Sequence, residues 1–266
     1  MSARAEAGLS RAWDDAWRRS AERWERIRPQ LVAATGWKIW NPGSYGRRWH
    51  QLFRETYALR PPMLLMFGLN PGPYGMAQTG IPFTDLKRLS SHLPALARAL
   101  AARDERIALP GLAPRSLHPF LGRSFESSSV RVYRFLDMGW GSAEAGWPHV
   151  AVANACPLLF MDEDGSNRTP ADLFGAVARN VKDRKEARRL QERSDALRRM
   201  AAIDAMEALA PRGVVLLGKD TQRALGGEVE KRLPPRSIVR WEHPARAVPD
   251  LWAAGLLSEV MRAGLK

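Results

Sequence analysis

Two hydrophobic periods alternate along the chain. Short, continuous apolar runs occur at Met63–Phe67, His149–Ala153, Val214–Leu217 and Ser237–Trp241, each closed by a loop-forming residue: Gly68, Asn154, Gly218 and Glu242-His243-Pro244. Runs of this length predict buried strands. Between them the apolar positions follow a helical period. Trp13, Trp17 and Trp24 share one face of a helix expected over Ser10 to about Leu31, and these tryptophans are read as core. Leu86, Leu89, Leu93, Leu96 and Leu100 are in phase over residues 84–103, and Ser129–Met138 reads as another helix. Thr169-Pro170-Ala171-Asp172 carries the signature of a helix start, with Thr as the cap, Pro at the first helical position and Asp three residues after the cap. One or two helices then run to about Ala210, another starts over 220–226, and a last one spans about Pro249 to Arg262. Residues 37–57 read as an aromatic, basic segment in which IWNPGSYGRRW forms a turn, and the Pro-, Gly- and Ser-rich stretch 104–128 as a surface loop. Strands alternating with helices predict an α/β fold: three layers, with a central four-stranded, mostly parallel sheet flanked by helices. The expected organisation is a single domain over 1–266 with an N-terminal helical segment at about 1–36.

In such folds ligands bind outside the carboxyl ends of the strands. The most distinctive polar residues fall there: Asn70 after the first strand, Asn154 after the second and His243 after the fourth. Charge narrows the class of ligand. Lys and Arg number 41 against 28 Asp and Glu, a net charge of +13, which suits a polyanion such as nucleic acid. The single cysteine, Cys156, excludes an internal disulfide and an all-cysteine metal or cluster site, and fits a reducing cytoplasm. It lies between Ala155 and Pro157 just past a strand, so a small buried thiol is expected rather than a nucleophile. No apolar run is long enough for a bilayer, and the N-terminal residues lack the apolar core of a signal peptide. No metal and no cofactor are expected.

Several suggestive stretches fail on inspection. Gly68, Gly72 and Gly75 do not have the G-x-G-x-x-G spacing, no Lys followed by Ser or Thr completes a phosphate loop, and Pro71 and Pro73 remove two backbone donors. MDEDGSN (Met161–Asn167) puts its Gly fourth, counting from Asp162, where a calcium loop needs it sixth. The basic run Arg179–Arg199 also holds Asp183, Glu186, Glu192 and Asp195 at helical spacings and reads as a solvated helix.

Taken together, three segments resemble one family. GLNPGPYGMAQTGIPF (Gly68–Phe83), NACPLLFMDEDGSNRTPADL (Asn154–Leu173) and WEHPARAVP (Trp241–Pro249) are similar to the first, middle and His-Pro motifs of the single-strand-selective monofunctional uracil-DNA glycosylases, and IWNPGSYGRRW (Ile39–Trp49) fits as well. The resemblance implies a uracil-DNA glycosylase-like fold and base excision: a uracil, or a 5-hydroxymethyluracil, is flipped out of DNA and its glycosidic bond hydrolysed to leave an abasic site. It places Asn70 as the residue holding the attacking water and His243 as the donor to the uracil anion. Phe83 becomes the stacking aromatic and Asn154 the reader of the base edge, while Gly68, Leu69, Gly72 and Met76 line the pocket. From the residues alone, Phe83 is equally a core aromatic and Asn154 a strand-end turn cap. No lysine matches a Schiff-base nucleophile, so a monofunctional enzyme without lyase activity is implied.

The sequence departs from the family in its last motif. In His243-Pro244-Ala245-Arg246-Ala247-Val248-Pro249 the Arg comes one position earlier than in the family's His-Pro-Ser-Pro-Arg-Asn-Pro, and the Ser is gone. The segment that enters the duplex therefore falls to Pro244, Ala245 and Arg246, with Lys87, Lys219 and Arg47 as further phosphate contacts. Expected partners are single- and double-stranded DNA carrying uracil or a modified base, met by a monomer in the cytoplasm, or at the nucleoid of a bacterium. Two alternatives stay open: a glycosylase of the same fold preferring hypoxanthine or xanthine, and a catalytically weak protein that binds damaged DNA.

Overall fold

The tryptophan stripe opens the fold. In the computed structural model, which describes residues 3–61, 63–245 and 248–266 with side chains from residue 8 onward, Trp13, Trp17 and Trp24 are buried and hold the long helix α1 (Ala3–Thr35) against the body of the protein. The chain continues through β1 (Lys38–Trp40), α2 (Pro42–Tyr45), α3 (Arg47–Thr56), β2 (Leu64–Gly68) and α4 (Met76–Thr79). It then forms α5 (Leu86–His92), α6 (Pro94–Ala101), a 3-10 turn at Arg115–Phe120, α7 (Ser127–Trp140) and α8 (Ala143–Gly146). Next come β3 (Val150–Asn154), β4 (Leu159–Met161), β5 (Asn167–Arg168), α9 (Pro170–Asn180) and α10 (Arg184–Leu209). The chain ends with β6 (Gly213–Leu217), α11 (Lys219–Glu230), β7 (Ile238–Trp241) and α12 (Pro249–Arg262).

The four apolar runs are strands of one parallel sheet, ordered β3-β2-β6-β7. Alternate residues of β2 face opposite layers. Leu64 and Met66 pack with α3, α5, α6, α7 and α12, while Leu65 and Phe67 pack with α1, α10 and α11. Both sheet faces are covered, which is why the strands read as unbroken apolar runs. Helix α9 starts as its sequence requires: the Thr169 side chain accepts from Asp172 N–H, and the Asp172 carboxylate accepts from Thr169 N–H at 2.8 Å. Cys156 is fully buried, and burial pushes its thiol up to about 12. Among the described residues no helix is long and apolar enough to cross a membrane.

Three features depart from the sequence expectation. The stretch 84–103 is two helices, because Pro94 lacks an N–H and restricts Leu93 before it, although all five leucines are buried. The segment 37–57 is a strand and two helices rather than a turn. A second sheet, antiparallel and ordered β1-β4-β5, lies beside the first. Its hairpin is MDEDGSN, where Gly165 adopts φ +74 and Asp162 N–H bonds to Ser166 O at 3.1 Å. An Asp-Gly pair between strands is a hairpin signal, and here Asp162 is committed to Ser166 N–H and to the Arg168 guanidinium.

Helix α3 buries two basic side chains. His50 stacks on Trp17 with ring centroids 4.0 Å apart, and neither of its ring nitrogens has a hydrogen-bond partner among the described residues. One turn on, the Arg54 guanidinium lies 4.2 Å from the Phe53 ring centre, and burial pushes it down to about 9. Burial, with Arg54 adding repulsion, holds His50 well below its ordinary range and therefore neutral. An unfolded chain protonates this histidine near pH 6.5 and the folded one does not, so its contribution to stability is complete above that pH and is lost as pH falls below it. The thermal midpoint should fall between about pH 7 and pH 5, and His50→Phe should flatten that fall in a calorimetric pH series.

Candidate active site

Strands β2 and β3 end in register, with Gly68 directly opposite Asn154. The two chains stay bonded just past the strand ends: Ala155 N–H bonds to Gly68 O and Cys156 N–H to Leu69 O, both at 2.9 Å. Gly68 is glycine for a steric reason. A Cβ there would stand 2.6 Å from Phe83 Cζ and 2.8 Å from Asn154 Oδ1. The ring, the amide and the strand end thus converge on one point. Asn154 is buried, and its Nδ2 donates to Met76 Sδ at 3.1 Å, at the start of α4. Behind this cluster, Trp13, Trp17, Met76, Asn154 and Pro157 line a small apolar cavity. Helix α1 therefore forms the back of the site.

Phe83 is held in an unfavourable backbone conformation. Its φ is +52, the left-handed region, which costs a non-glycine residue about 1–2 kcal/mol. The neighbouring turn imposes it. The fully buried Thr79 hydroxyl accepts from Ile81 N–H at 3.1 Å and donates to Thr84 O at 2.8 Å. Thr84 N–H bonds to Ile81 O, and Tyr133 donates its hydroxyl to Thr84 Oγ1 at 3.1 Å. This network leaves the Phe83 ring partly exposed over Gly68. Sequence reasoning missed Thr79 and Thr84. Nothing in IPFTD marks the strained residue, since phenylalanine is not a residue that favours positive φ.

Asn70 is half-buried, and its orientation is set by two donated bonds, from Nδ2 to Pro71 O and to Arg168 O, both 3.2 Å. Arg168 belongs to β5, so the unexpected second sheet aims this amide. The side-chain oxygen is left facing away from both carbonyls and can accept from a water. His243 follows β7 and is exposed, set close against Gly218, where a Cβ would meet the His243 Cβ and Cδ2 at 3.2 Å. Gly218 has φ +87, so both its backbone and its surroundings require glycine. Ala245 N–H donates to His243 Nδ1 at 3.2 Å. That bond leaves the proton of a neutral imidazole on Nε2, making Nε2–H a donor.

The other residues singled out by sequence fall around this centre. Leu69 is buried, and Gly72 and Gly75 face the carboxyl of Glu126. Pro244 is buried and Ala245 exposed, while Arg246 lies outside the described residues. Lys219 is exposed as the first residue of α11, immediately after Gly218, and Lys87 is exposed on α5. Arg47 is bound to Asp14 of α1 at 2.8 Å. Glu242 has Arg131 as a nearby cation. On the basic helix α10, Arg188 pairs with Glu192 on an exposed face, while Arg198 pairs with Asp195 largely buried over the Phe174 ring, so only part of this helix is the solvated face expected from sequence.

A three-layer parallel α/β sheet, with an aromatic ring and two amides gathered at its carboxyl end, defines a class of protein that can hold a flat polar ring. Residues 54–250 match the family model of the uracil DNA glycosylase superfamily, and the chain belongs to that family. It is 35% identical over 138 residues to the single-strand selective monofunctional uracil-DNA glycosylase of Rattus norvegicus, a match covering 51% of this chain and 46% of the relative. The Mus musculus protein of the same description is 34% identical over 141 residues, at 51% and 46% coverage. The chain thus spans about half the length of the curated relatives it matches. A crystal structure of Pedobacter heparinus SMUG2 superposes with a TM-score of 0.59 at 20% identity, covering 93% of this chain and 99% of that one, which establishes the shared fold.

The Thr79 network can be tested directly. Thr79→Val keeps the shape but leaves Ile81 N–H and Thr84 O without partners, and should lower unfolding free energy by about 1–3 kcal/mol in urea titration.

Proposed function

We propose that this chain is a monofunctional DNA glycosylase of base excision repair that hydrolyses the N-glycosidic bond of uracil, and of 5-hydroxymethyluracil, in DNA. What carries the reading is the convergence of the Phe83 ring and the Asn154 amide over the bare Gly68. A flipped uracil stacks on Phe83 and sets its O4 and N3–H against the donor and acceptor of the Asn154 amide. Its O2 then points to the Nε2–H of His243, and its sugar to the Asn70 oxygen.

The chemistry follows from what these groups can supply. A neutral amide orients water but does not strongly deprotonate it, so bond breaking runs ahead of attack. The N1–C1′ bond breaks with its electron pair leaving on the base, where charge spreads to O2, and positive charge develops on the sugar. The His243 donor stabilises the anion. The water held by Asn70 bonds to C1′ and releases one proton to solvent, and the departed uracil anion takes one up from solvent, leaving an abasic site and a neutral free base. No lysine takes part, so the strand stays intact. The net charge of +13 and the exposed Lys87 and Lys219 favour the DNA backbone. The one cysteine, a buried free thiol, is compatible with a reducing cytoplasm.

A uracil oligonucleotide treated with the protein and then with alkali should be cleaved at the uracil. Intact single- and double-stranded substrates would overturn the reading, and faster release of hypoxanthine or xanthine would move it to deaminated purines. Replacing His243 with Ala should lower the single-turnover rate about a hundred- to a thousandfold, the usual effect of removing one preorganised donor. Asn70→Ala should slow the same step without weakening binding to an abasic-site oligonucleotide.

A further inference from the structure

The loop between Asn70 and Met76 has a carboxyl against it that the chemistry above does not use. Gly72 and Gly75 both face Glu126: a Cβ at Gly72 would stand 2.7 Å from each carboxyl oxygen, and one at Gly75 would overlap Oε2. The glycines therefore let a carboxyl approach this loop where any side chain would keep it out. Glu126 is pinned at both ends. Its backbone N–H donates to the buried Asp85 carboxylate at 2.9 Å, and its Oε1 accepts from the Ser128 hydroxyl at 2.5 Å. Asp85 is itself fixed as the cap of α5, accepting from Arg88 N–H at 2.7 Å. Burial holds the Glu126 carboxyl above the ordinary carboxylate range against the pull of Ser128, and Asp85 adds repulsion.

The orientation of the base decides which atoms this carboxyl meets. On the reading above, O2 lies at His243, the N3–O4 edge at Asn154 and N1 toward the sugar and Asn70. The remaining edge, C5–C6, points at the glycine loop. We propose that Glu126 is the specificity-determining residue for the 5-position of the pyrimidine, hydrogen-bonding a 5-hydroxymethyl group and rejecting a 5-methyl group. A hydroxyl exchanges a hydrogen bond with the carboxyl in either protonation state. A methyl displaces water from the carboxyl and returns nothing, and a site built for a hydroxyl discriminates strongly on that basis. With uracil, water keeps the carboxyl solvated. This inference rests on the glycosylase reading and adds a residue and a selection rule to it.

The test compares single-turnover release of uracil, 5-hydroxymethyluracil and thymine from single-stranded oligonucleotides by the wild type and by the E126Q and E126M variants. The wild type should release the first two bases and not thymine. Glu126→Gln keeps a hydrogen-bonding end and should hold the ratio of 5-hydroxymethyluracil to uracil release within about threefold. Glu126→Met, of similar length but apolar, should lower that ratio at least tenfold while uracil release stays within about threefold. A ratio unchanged in a folded E126M protein, or a wild type that releases uracil but not 5-hydroxymethyluracil, would overturn the proposal alone. If E126M does not fold, Gly72→Ala, whose Cβ displaces the same carboxyl, should lower the ratio likewise, and an unchanged ratio there is equally fatal. A wild type that releases neither base would overturn the glycosylase reading and this proposal with it.

Discussion

Everything at this site depends on where two parallel strands stop. β2 lies between β3 and β6, bonded along its length to both, and its last residue is paired with the last residue of β3. That register sets Gly68 opposite Asn154, and two further backbone bonds hold the chains together just beyond it. A one-residue slip would exchange the two faces of the strand, turning Leu64 and Met66 toward α1 and Leu65 and Phe67 toward α7, and would move the amide from the ring. The packing of two apolar layers thus fixes a polar contact at the sheet edge, without needing any polar group in the core.

On that edge the protein concentrates strain and spends hydrogen bonds to hold it. Phe83 sits at positive φ because Thr79, Ile81 and Thr84 form a closed turn beneath it, tied to α7 through Tyr133. Asp85, the next residue along, fastens the same turn to the start of α7 by accepting from Glu126 N–H. The Phe83 ring and the carboxyl under the glycine loop are therefore mounted on one support. Helix α1 closes the cluster from behind, with Trp13 and Trp17 lining the cavity beside Met76 and Asn154. The family model begins at residue 54, yet the back wall of the pocket comes from residues well before it.

The parts of this arrangement written in single-segment patterns were legible in the sequence. The four apolar runs marked the parallel sheet, and the polar residues just after them marked its carboxyl edge, because strand length and strand ends are local properties. Asn70, Phe83 and Asn154 were named through motif resemblance; the fold brings Phe83 and Asn154 together over Gly68, and holds Asn70 two residues on against Pro71 and Arg168. What was not legible depends on distant contacts. The second sheet pairs Lys38–Trp40 with Leu159–Met161 across more than a hundred residues, and its hairpin was considered only as a metal loop. The positive φ of Phe83 leaves no trace in its residue type. Glu126 lies in a stretch read as surface loop, and its contact with the glycine loop is visible only in the close approach of its carboxyl to the bare Cα atoms of Gly72 and Gly75.

The two bonds donated by Asn70 have a consequence for how this chemistry can change. Both hydrogens of its amide end on backbone carbonyls, one from the neighbouring proline and one from β5. An aspartate in that position would set a charged oxygen against those carbonyls with no hydrogen to share, so the exchange of a single nitrogen for oxygen turns two attractions into two repulsions. A neutral amide and a charged carboxylate are therefore not interchangeable parts in this loop. Moving from one to the other requires re-routing the hairpin that carries Arg168, and the small antiparallel sheet keeps the neutral form of the site in place.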